Sequence, residues 1–159
     1  MSPTIRPAAA ADVPLILELI RGLATYEKLL HEVEATEEKL HATLFPATGR
    51  PAAECVLAFA DGEPAGYALY FTTYSTFLAL PGLYLEDLFV QPEKRGQGIG
   101  KALLKHLARL ANQRGYGRME WTVLDWNEPA IKFYDSLGAS RLPQWQICRL
   151  TGPALAKYA

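Results

Sequence analysis

Val90-Gln91-Pro92-Glu93-Lys94-Arg95-Gly96-Gln97-Gly98-Ile99-Gly100-Lys101 joins the end of an apolar strand to the start of a helix. Three alternate glycines leave the backbone bare where that helix begins. The first amides of a helix lack an intrahelical partner, and the helix dipole adds positive potential to them. A helix start ordinarily carries an acid in its first turn and a Ser, Thr or Asp cap. This one carries Lys94, Arg95 and Lys101 and no clear cap. One reading is a flexible turn. A local rule broken in this way argues instead for a bound anion, a phosphate above all.

Two familiar phosphate loops do not fit. The Walker pattern needs a different glycine spacing and a Ser or Thr where Ala102 stands. The dinucleotide fingerprint is G-x-G-x-x-G early in a sheet, whereas this loop is G-x-G-x-G and falls late.

Working outward from the loop, the helix over Gly98–Arg114 places Ile99, Ala102, Leu103, Leu107, Leu110 and Ala111 on one side. Lys101, Lys105, Arg109 and Gln113 lie on the other. Upstream, Leu83–Val90 is strand-like and apolar except for Glu86 and Asp87. Glu54–Ala60 and Pro64–Tyr74 are strands flanking Asp61-Gly62, a two-residue hairpin signature. Nearer the N-terminus, Ile5-Arg6-Pro7 reads as a short strand. Asp12 as N-cap and Pro14 in the first turn open a helix to about Tyr26. Thr36 before Glu37 and Glu38 starts a shorter helix that stops near Phe45. Downstream, Arg118–Leu124 alternates as a strand. Asn127-Glu128-Pro129 starts a short helix ended by Gly138, and Trp145–Leu150 reads as a last strand. The order predicts one α/β domain over residues 1–159, with a mixed sheet of antiparallel hairpins followed by parallel crossovers.

Arg95-Gly96-Gln97-Gly98-Ile99-Gly100 matches the R-x-x-G-x-G loop of the GCN5-related N-acetyltransferase superfamily, and the element order resembles that fold along essentially the whole chain. Within the superfamily the chain is similar to the diamine acetyltransferases that act on polyamines and thialysine. Ile5-Arg6-Pro7-Ala8, Ala24-Thr25-Tyr26-Glu27, Tyr84-Leu85-Glu86-Asp87-Leu88-Phe89-Val90, Trp126-Asn127-Glu128-Pro129 and Phe133-Tyr134 carry that likeness. The resemblance implies a mostly antiparallel central sheet with helices on both faces and a splay between two central parallel strands. It implies acetyl-CoA as cosubstrate and no metal. Arg95, Gly96, Gln97, Gly98, Ile99, Gly100 and Lys101 would hold the pyrophosphate. Leu88, Phe89 and Val90 would pair their backbones with the pantetheine arm, and Asn127, Glu128, Pro129 and Ala130 would flank it.

Acetyl transfer from a thioester to an amine makes three chemical demands. The amine must lose a proton, the oxyanion needs a donor, and the leaving thiolate benefits from an acid. Glu86 and Asp87 are adjacent charges in an apolar strand, where unpaired carboxylates are costly to bury. They mark either a strand end with a salt bridge or a bulge that turns Glu86 into a cleft. The resemblance makes Glu86 the group that binds and deprotonates the amine, and leaves Asp87 structural. Spacing alone makes Tyr134 a core tyrosine. The resemblance makes it the general acid at the sulfur, a role for which an ordinary pKa of about 10 keeps it protonated. The amide of Leu88 is the candidate oxyanion donor. Tyr26 and Glu27 read as a surface helix end, or by resemblance as lining of the acceptor pocket. Tyr70, Tyr74 and Trp126 suit core packing or a cleft wall equally, and His106 reads as structural. Polyamine acetyltransferases carry acids before their last strand, whereas Ser140-Arg141-Leu142-Pro143-Gln144-Trp145 has none. A smaller amine or amino acid derivative therefore fits at least as well as a long polycation.

The 159 residues are 50% hydrophobic and 21% charged, which supports a sizeable core. A formal net charge of −1 gives no electrostatic case for a nucleic-acid or anionic-membrane partner. Cys55 and Cys148 form no disulfide framework, and His31, His41 and His106 share no metal-ligand spacing. Residues 65–85 carry no charge, but Thr72-Thr73-Tyr74-Ser75-Thr76 and Pro81-Gly82 make two strands a better reading than a membrane span. These features predict a soluble, cytoplasmic protein, and the resemblance adds a homodimer. A non-catalytic acyl-CoA sensor, or an enzyme acting on peptide or protein amines, are the alternative functions. Glu86 and Tyr134 favour catalysis, since a sensor needs neither.

Overall fold

The computed structural model describes residues 2–159. It divides into two compact units, one ending at Thr122 and one spanning Val123–Ala159.

The first unit is a five-stranded sheet in sequence order. β1 (Thr4–Pro7), β2 (Glu54–Ala60), β3 (Glu63–Ser75) and β4 (Leu80–Val90) are antiparallel, and β5 (Met119–Glu120) runs parallel to β4. The hairpin between β2 and β3 turns on Asp61 (φ 52°) and Gly62 (φ 81°), so both turn residues adopt the positive φ that this loop requires. The charge-free stretch is the β3–β4 hairpin. Among the described residues no helix is long and apolar enough to cross a membrane.

Alternation along the strands feeds two cores. Val56 and Ala58 of β2, Ala68 of β3, and Leu83 and Leu85 of β4 pack under Ile99, Leu103 and Leu107 of α3 (Ile99–Gln113). Leu57, Tyr67 and Phe89 point to the opposite face. There they meet Val13, Ile16 and Leu19 of α1 (Val13–Tyr26) and Leu40 and Leu44 of α2 (Glu37–Leu44). Helices thus cover both faces. Leu104 of α3 is also buried, which widens the apolar stripe beyond the spacing read from the sequence.

The parallel pair is brief. β4 and β5 pair only at Leu83 with Met119 and Tyr84 with Glu120, and Leu85–Val90 runs on past the end of β5. The expected strand over Arg118–Leu124 is therefore two residues long. This early parting of the two strands is the predicted splay.

One local expectation needs correction. Asp12 makes no side-chain cap on α1. Its carboxylate instead accepts from the Ala9 N–H (2.7 Å) and from Arg6 Nη1 and Nη2 (2.8 and 2.9 Å), a bidentate pair that ties β1 to the turn before α1. Thr36, by contrast, does cap α2, accepting from the Lys39 N–H at 3.2 Å.

In the second unit Asn127 caps α4 (Glu128–Ser136), its Oδ1 accepting from the Ala130 N–H at 3.3 Å, and Gly138 follows at φ 84°. α5 (Gly152–Ala156) is a single short turn. Trp145–Leu150 is not a strand. It is irregular and exposed, because an apolar stretch forms a strand only where another strand supplies the ladder.

Candidate active site

The loop between β4 and α3 has the bare backbone its sequence implies. Gly96 and Gly98 sit at φ 77° and 76°, and Gly98 is the left-handed N-cap of α3 with no side-chain cap. A Cβ at either glycine would meet nothing within 4 Å, so the cradle is open as well as bare. These residues fit a diphosphate: amides at a helix start, no acid in its first turn, and space before them. Pro92–Lys94 forms a 3₁₀ turn ahead of the glycines.

The Arg95 side chain is committed to the protein. Its Nε donates to the Val90 carbonyl at 3.0 Å, and its guanidinium lies 4.5 Å from the centre of the Tyr26 ring and 5.7 Å from that of Phe89. Arg95 thereby ties the end of α1 to the end of β4. Tyr26, under that guanidinium, and its neighbour Glu27 are both half-buried rather than a loose helix end.

The direction of the β4 backbone follows from two fixed points. The Leu83 N–H donates toward β5, to the Arg118 carbonyl at 3.0 Å. The Gln91 N–H donates toward β3, to the Ala65 carbonyl at 2.8 Å. Strict alternation cannot connect these two ends, and the register shows why. Tyr70 pairs with Leu85 and Leu69 with Asp87, so Glu86 is an extra residue with no partner on β3. Counting from either end across this bulge, the amides of Leu88 and Val90 face away from β3, on the side β5 has left. The Val90 carbonyl that accepts from Arg95 lies on that same side.

The bulge also sorts the two acids. Glu86 is exposed, while Asp87 is half-buried on the α1 face. The fully buried Tyr67 hydroxyl donates to Asp87 Oδ2 at 2.9 Å. Burial pushes the Asp87 carboxyl up to about 6; the Tyr67 hydrogen bond pulls it down, and the charges of Glu86 and Glu27 push it up. Burial likewise lifts the Glu27 carboxyl above its ordinary range. Tyr67 was missed in the sequence because it read as one more strand aromatic. An aromatic with a hydroxyl, on a strand facing an adjacent acid pair, was the available signal.

Other expected residues separate. Tyr70 is core, whereas Tyr74 is 61% exposed. His106 is half-buried on α3, its imidazole held below its ordinary value by burial and by Arg109. Within the second unit Tyr134 is half-buried on α4 with its ring 5.5 Å from that of Phe133, and Trp126 is 47% exposed. Among the described residues no group of His, Cys, Asp and Glu is arranged to hold a metal ion.

A mixed sheet with one short parallel pair, helices on both faces and a bare glycine loop at the head of the next helix together define an α/β fold. The family described as "Acetyltransferase (GNAT) family" matches residues 19–139, and the chain belongs to that family. It is 42% identical to the thialysine N-epsilon-acetyltransferase of Bos taurus, over 98% of this chain and 96% of that protein. It is 34% identical to the L-ornithine N5-acetyltransferase of Arabidopsis thaliana, over 98% and 87%. Among solved structures, an integron cassette protein from the mobile metagenome of V. cholerae superposes with a TM-score of 0.79 at 28% identity, covering 99% and 98% of the two chains.

Proposed function

We propose that this N-acetyltransferase moves the acetyl group of acetyl-CoA to the side-chain amine of a small basic amino acid of the lysine or ornithine type. The β-bulge at Glu86 carries the reading. It frees one carboxylate from the sheet at the point where β4 turns its amides to the open side. Two relatives whose names specify thialysine and ornithine support this substrate class over a long polyamine. So does the stretch Ser140–Trp145, exposed and without a carboxylate to meet a second ammonium.

In this reading the acceptor ammonium is held at Glu86, with Tyr26 and Glu27 lining its pocket, and Glu86 takes its proton. The freed amine attacks the thioester carbon directly. The oxyanion that forms accepts from the Leu88 N–H. Collapse breaks the carbon–sulfur bond, and the Tyr134 hydroxyl gives its proton to the departing thiolate. Leu88, Phe89 and Val90 hold the pantetheine arm, the loop from Gly96 to Lys101 the pyrophosphate, and Asn127 to Ala130 the arm's other side. A covalent acetyl-cysteine route through Cys55 is disfavoured, because burial pushes that thiol up to about 12 and little thiolate exists at neutral pH. The two free thiols, Cys55 and Cys148, fit a reducing, cytoplasmic setting. We further read residues 1–159 as one functional domain that pairs as a homodimer.

The test is thiol release from acetyl-CoA across a panel of lysine analogues, ornithine, diamines and peptide N-termini. Turnover with basic amino acids above that with diamines and peptides is expected. Glu86→Gln should slow turnover most at low pH, where the amine is mostly protonated. Tyr134→Phe should lower kcat and leave acetyl-CoA binding nearly intact. Acid–base help is typically worth about 10²–10⁴-fold. A thiol with a pKa near 8.5 leaves readily, so the Tyr134→Phe loss should sit at the lower end. Wild-type kcat in both variants would return these residues to structural roles.

A further inference from the structure

Tyr26 is the last helical residue of α1, and helix ends fray unless something outside the helix holds them. The chain leaves α1 in a Schellman turn. The Lys28 N–H donates to the Thr25 carbonyl at 3.1 Å and the Leu29 N–H to the Ala24 carbonyl at 2.8 Å. The left-handed position of that turn, at φ 62°, is Lys28 rather than the glycine that takes it without strain. The helix thus stops in a turn that its own residue disfavours, where it carries the half-buried pair Tyr26 and Glu27.

Two contacts from the end of β4 supply the hold. Gly22 stands one helical turn before Tyr26, and glycine inside a helix is less favourable than alanine. A Cβ there would lie 2.8 Å from Phe89 Cε1 and 3.0 Å from Cζ, so the missing side chain leaves a notch that the Phe89 ring fills. One turn further on, the Arg95 guanidinium lies over the Tyr26 ring, 4.5 Å from its centre. The same guanidinium is 5.7 Å from the centre of the Phe89 ring. Arg95 is itself fixed, its Nε donating to the Val90 carbonyl at 3.0 Å. The notch seats α1 against β4, and the guanidinium holds the last ring of the helix. Arg95 also opens the glycine loop, so the residue that holds Tyr26 belongs to the segment read above as the cosubstrate's cradle.

We propose that Arg95 is a positioning residue for the acceptor: by holding the Tyr26 ring it fixes the pocket wall against which a basic amino acid binds. This rests on the reading that Tyr26 and Glu27 line that pocket, and a double-mutant cycle separates the two. L-Ornithine and L-lysine are titrated by calorimetry into enzyme saturated with CoA. The proteins are the wild type, Arg95→Ala, Tyr26→Leu and the double variant, each checked for folding by circular dichroism and for CoA affinity by a separate titration. An exposed cation–aromatic contact corresponds to about a two- to fivefold change in affinity. Arg95→Ala should weaken amino acid binding by at least that factor. Tyr26→Leu should weaken it too, and the double variant should bind no more weakly than Tyr26→Leu alone, because without the ring the guanidinium has nothing to hold. Any loss of CoA affinity from Arg95→Ala should, by contrast, be the same with Tyr26 or Leu at that position. In turnover, the amino acid KM of Arg95→Ala should rise by a larger factor than kcat falls. If Tyr26→Leu weakens the amino acid but Arg95→Ala does not, or if the two losses multiply in the double variant, the role of Arg95 is overturned and the pocket reading stands. Unchanged amino acid affinity in Tyr26→Leu, or a wild type that binds neither amino acid, overturns the pocket reading and the role of Arg95 together.

Discussion

The hydroxyl of Tyr67 and the carboxyl of Asp87 form a pair whose behaviour with pH follows from where each sits. Tyr67 is fully buried, and its O–H is satisfied by Asp87 at 2.9 Å. Asp87 is pushed up to about 6 from an ordinary value near 4, chiefly by burial. The native state therefore holds this proton to higher pH than the unfolded chain does. Between about pH 4 and pH 6 the native state binds more protons, so Asp87's contribution to stability falls as pH rises through that window. Asp87→Asn should remove the fall: the melting temperature of the variant should drop less than that of the wild type between pH 4 and pH 7. Tyr67→Phe deletes the hydrogen bond that favours the carboxylate. The Asp87 midpoint, followed by carboxyl-carbon NMR, should then move above the wild-type value. An unmoved midpoint would mean that the hydroxyl does not hold that charge.

At the scale of elements, β4 and the loop after it do most to shape the site. One extra residue in β4 reverses which backbone groups face the open side, and so sets where Leu88 and Val90 can donate. That reversal depends on the close pairing of β3 with β4, which Gly66 permits. A Cβ at Gly66 would strike the Phe89 carbonyl oxygen and come within 3.2 Å of Val90 Cα. Both are backbone atoms that cannot swing aside, so Gly66→Ala should destabilise the fold by about 1–3 kcal/mol, read from a urea midpoint. Gly98 is the opposite case. It has open space around it but a φ of 76°, so Gly98→Val strains only the loop, by about 1–2 kcal/mol. The variant should remain folded by circular dichroism and lose acetyl-CoA affinity by calorimetry. Unchanged affinity in that folded variant would remove the loop from the binding site.

For the whole molecule, the apolar side chains left exposed are the informative feature. In the unit Val123–Ala159, Trp145, Ile147, Leu150, Leu155 and Tyr158 are 56–79% exposed. In the first unit the tip of the β3–β4 hairpin carries a fully exposed Phe77 beside Leu78 and Leu80. Isolated apolar side chains on a surface are ordinary, but several exposed within one short stretch of chain suit contact with a partner. The expected partner is a second copy of the chain, so sedimentation at micromolar concentration should show a dimer. Trp145→Ser together with Ile147→Ser should shift it toward monomer; a wild-type monomer at that concentration would contradict the pairing.

What the sequence alone determined was local. The hairpin turn at Asp61-Gly62, the Thr36 and Asn127 caps, Gly138 after α4 and the glycine loop before α3 were all legible. Each depends on backbone rules that act within about four residues. The position of the bulge was also legible, because two adjacent charges fit an apolar strand only where its alternation breaks or the strand ends. Further features depended on partners distant in the chain. Asp12 had the right neighbours for a cap, yet Arg6 and the Ala9 amide claimed its carboxylate. Trp145–Leu150 was expected to be a strand and β5 to be longer, but a ladder needs a facing strand that no local pattern specifies. Tyr67 reaches Asp87 across twenty residues of sequence, and Arg95 reaches Tyr26 across a larger gap. Only the folded chain brings these groups together, because hydrogen bonds and burial act through space, whereas the legible signals act along the chain.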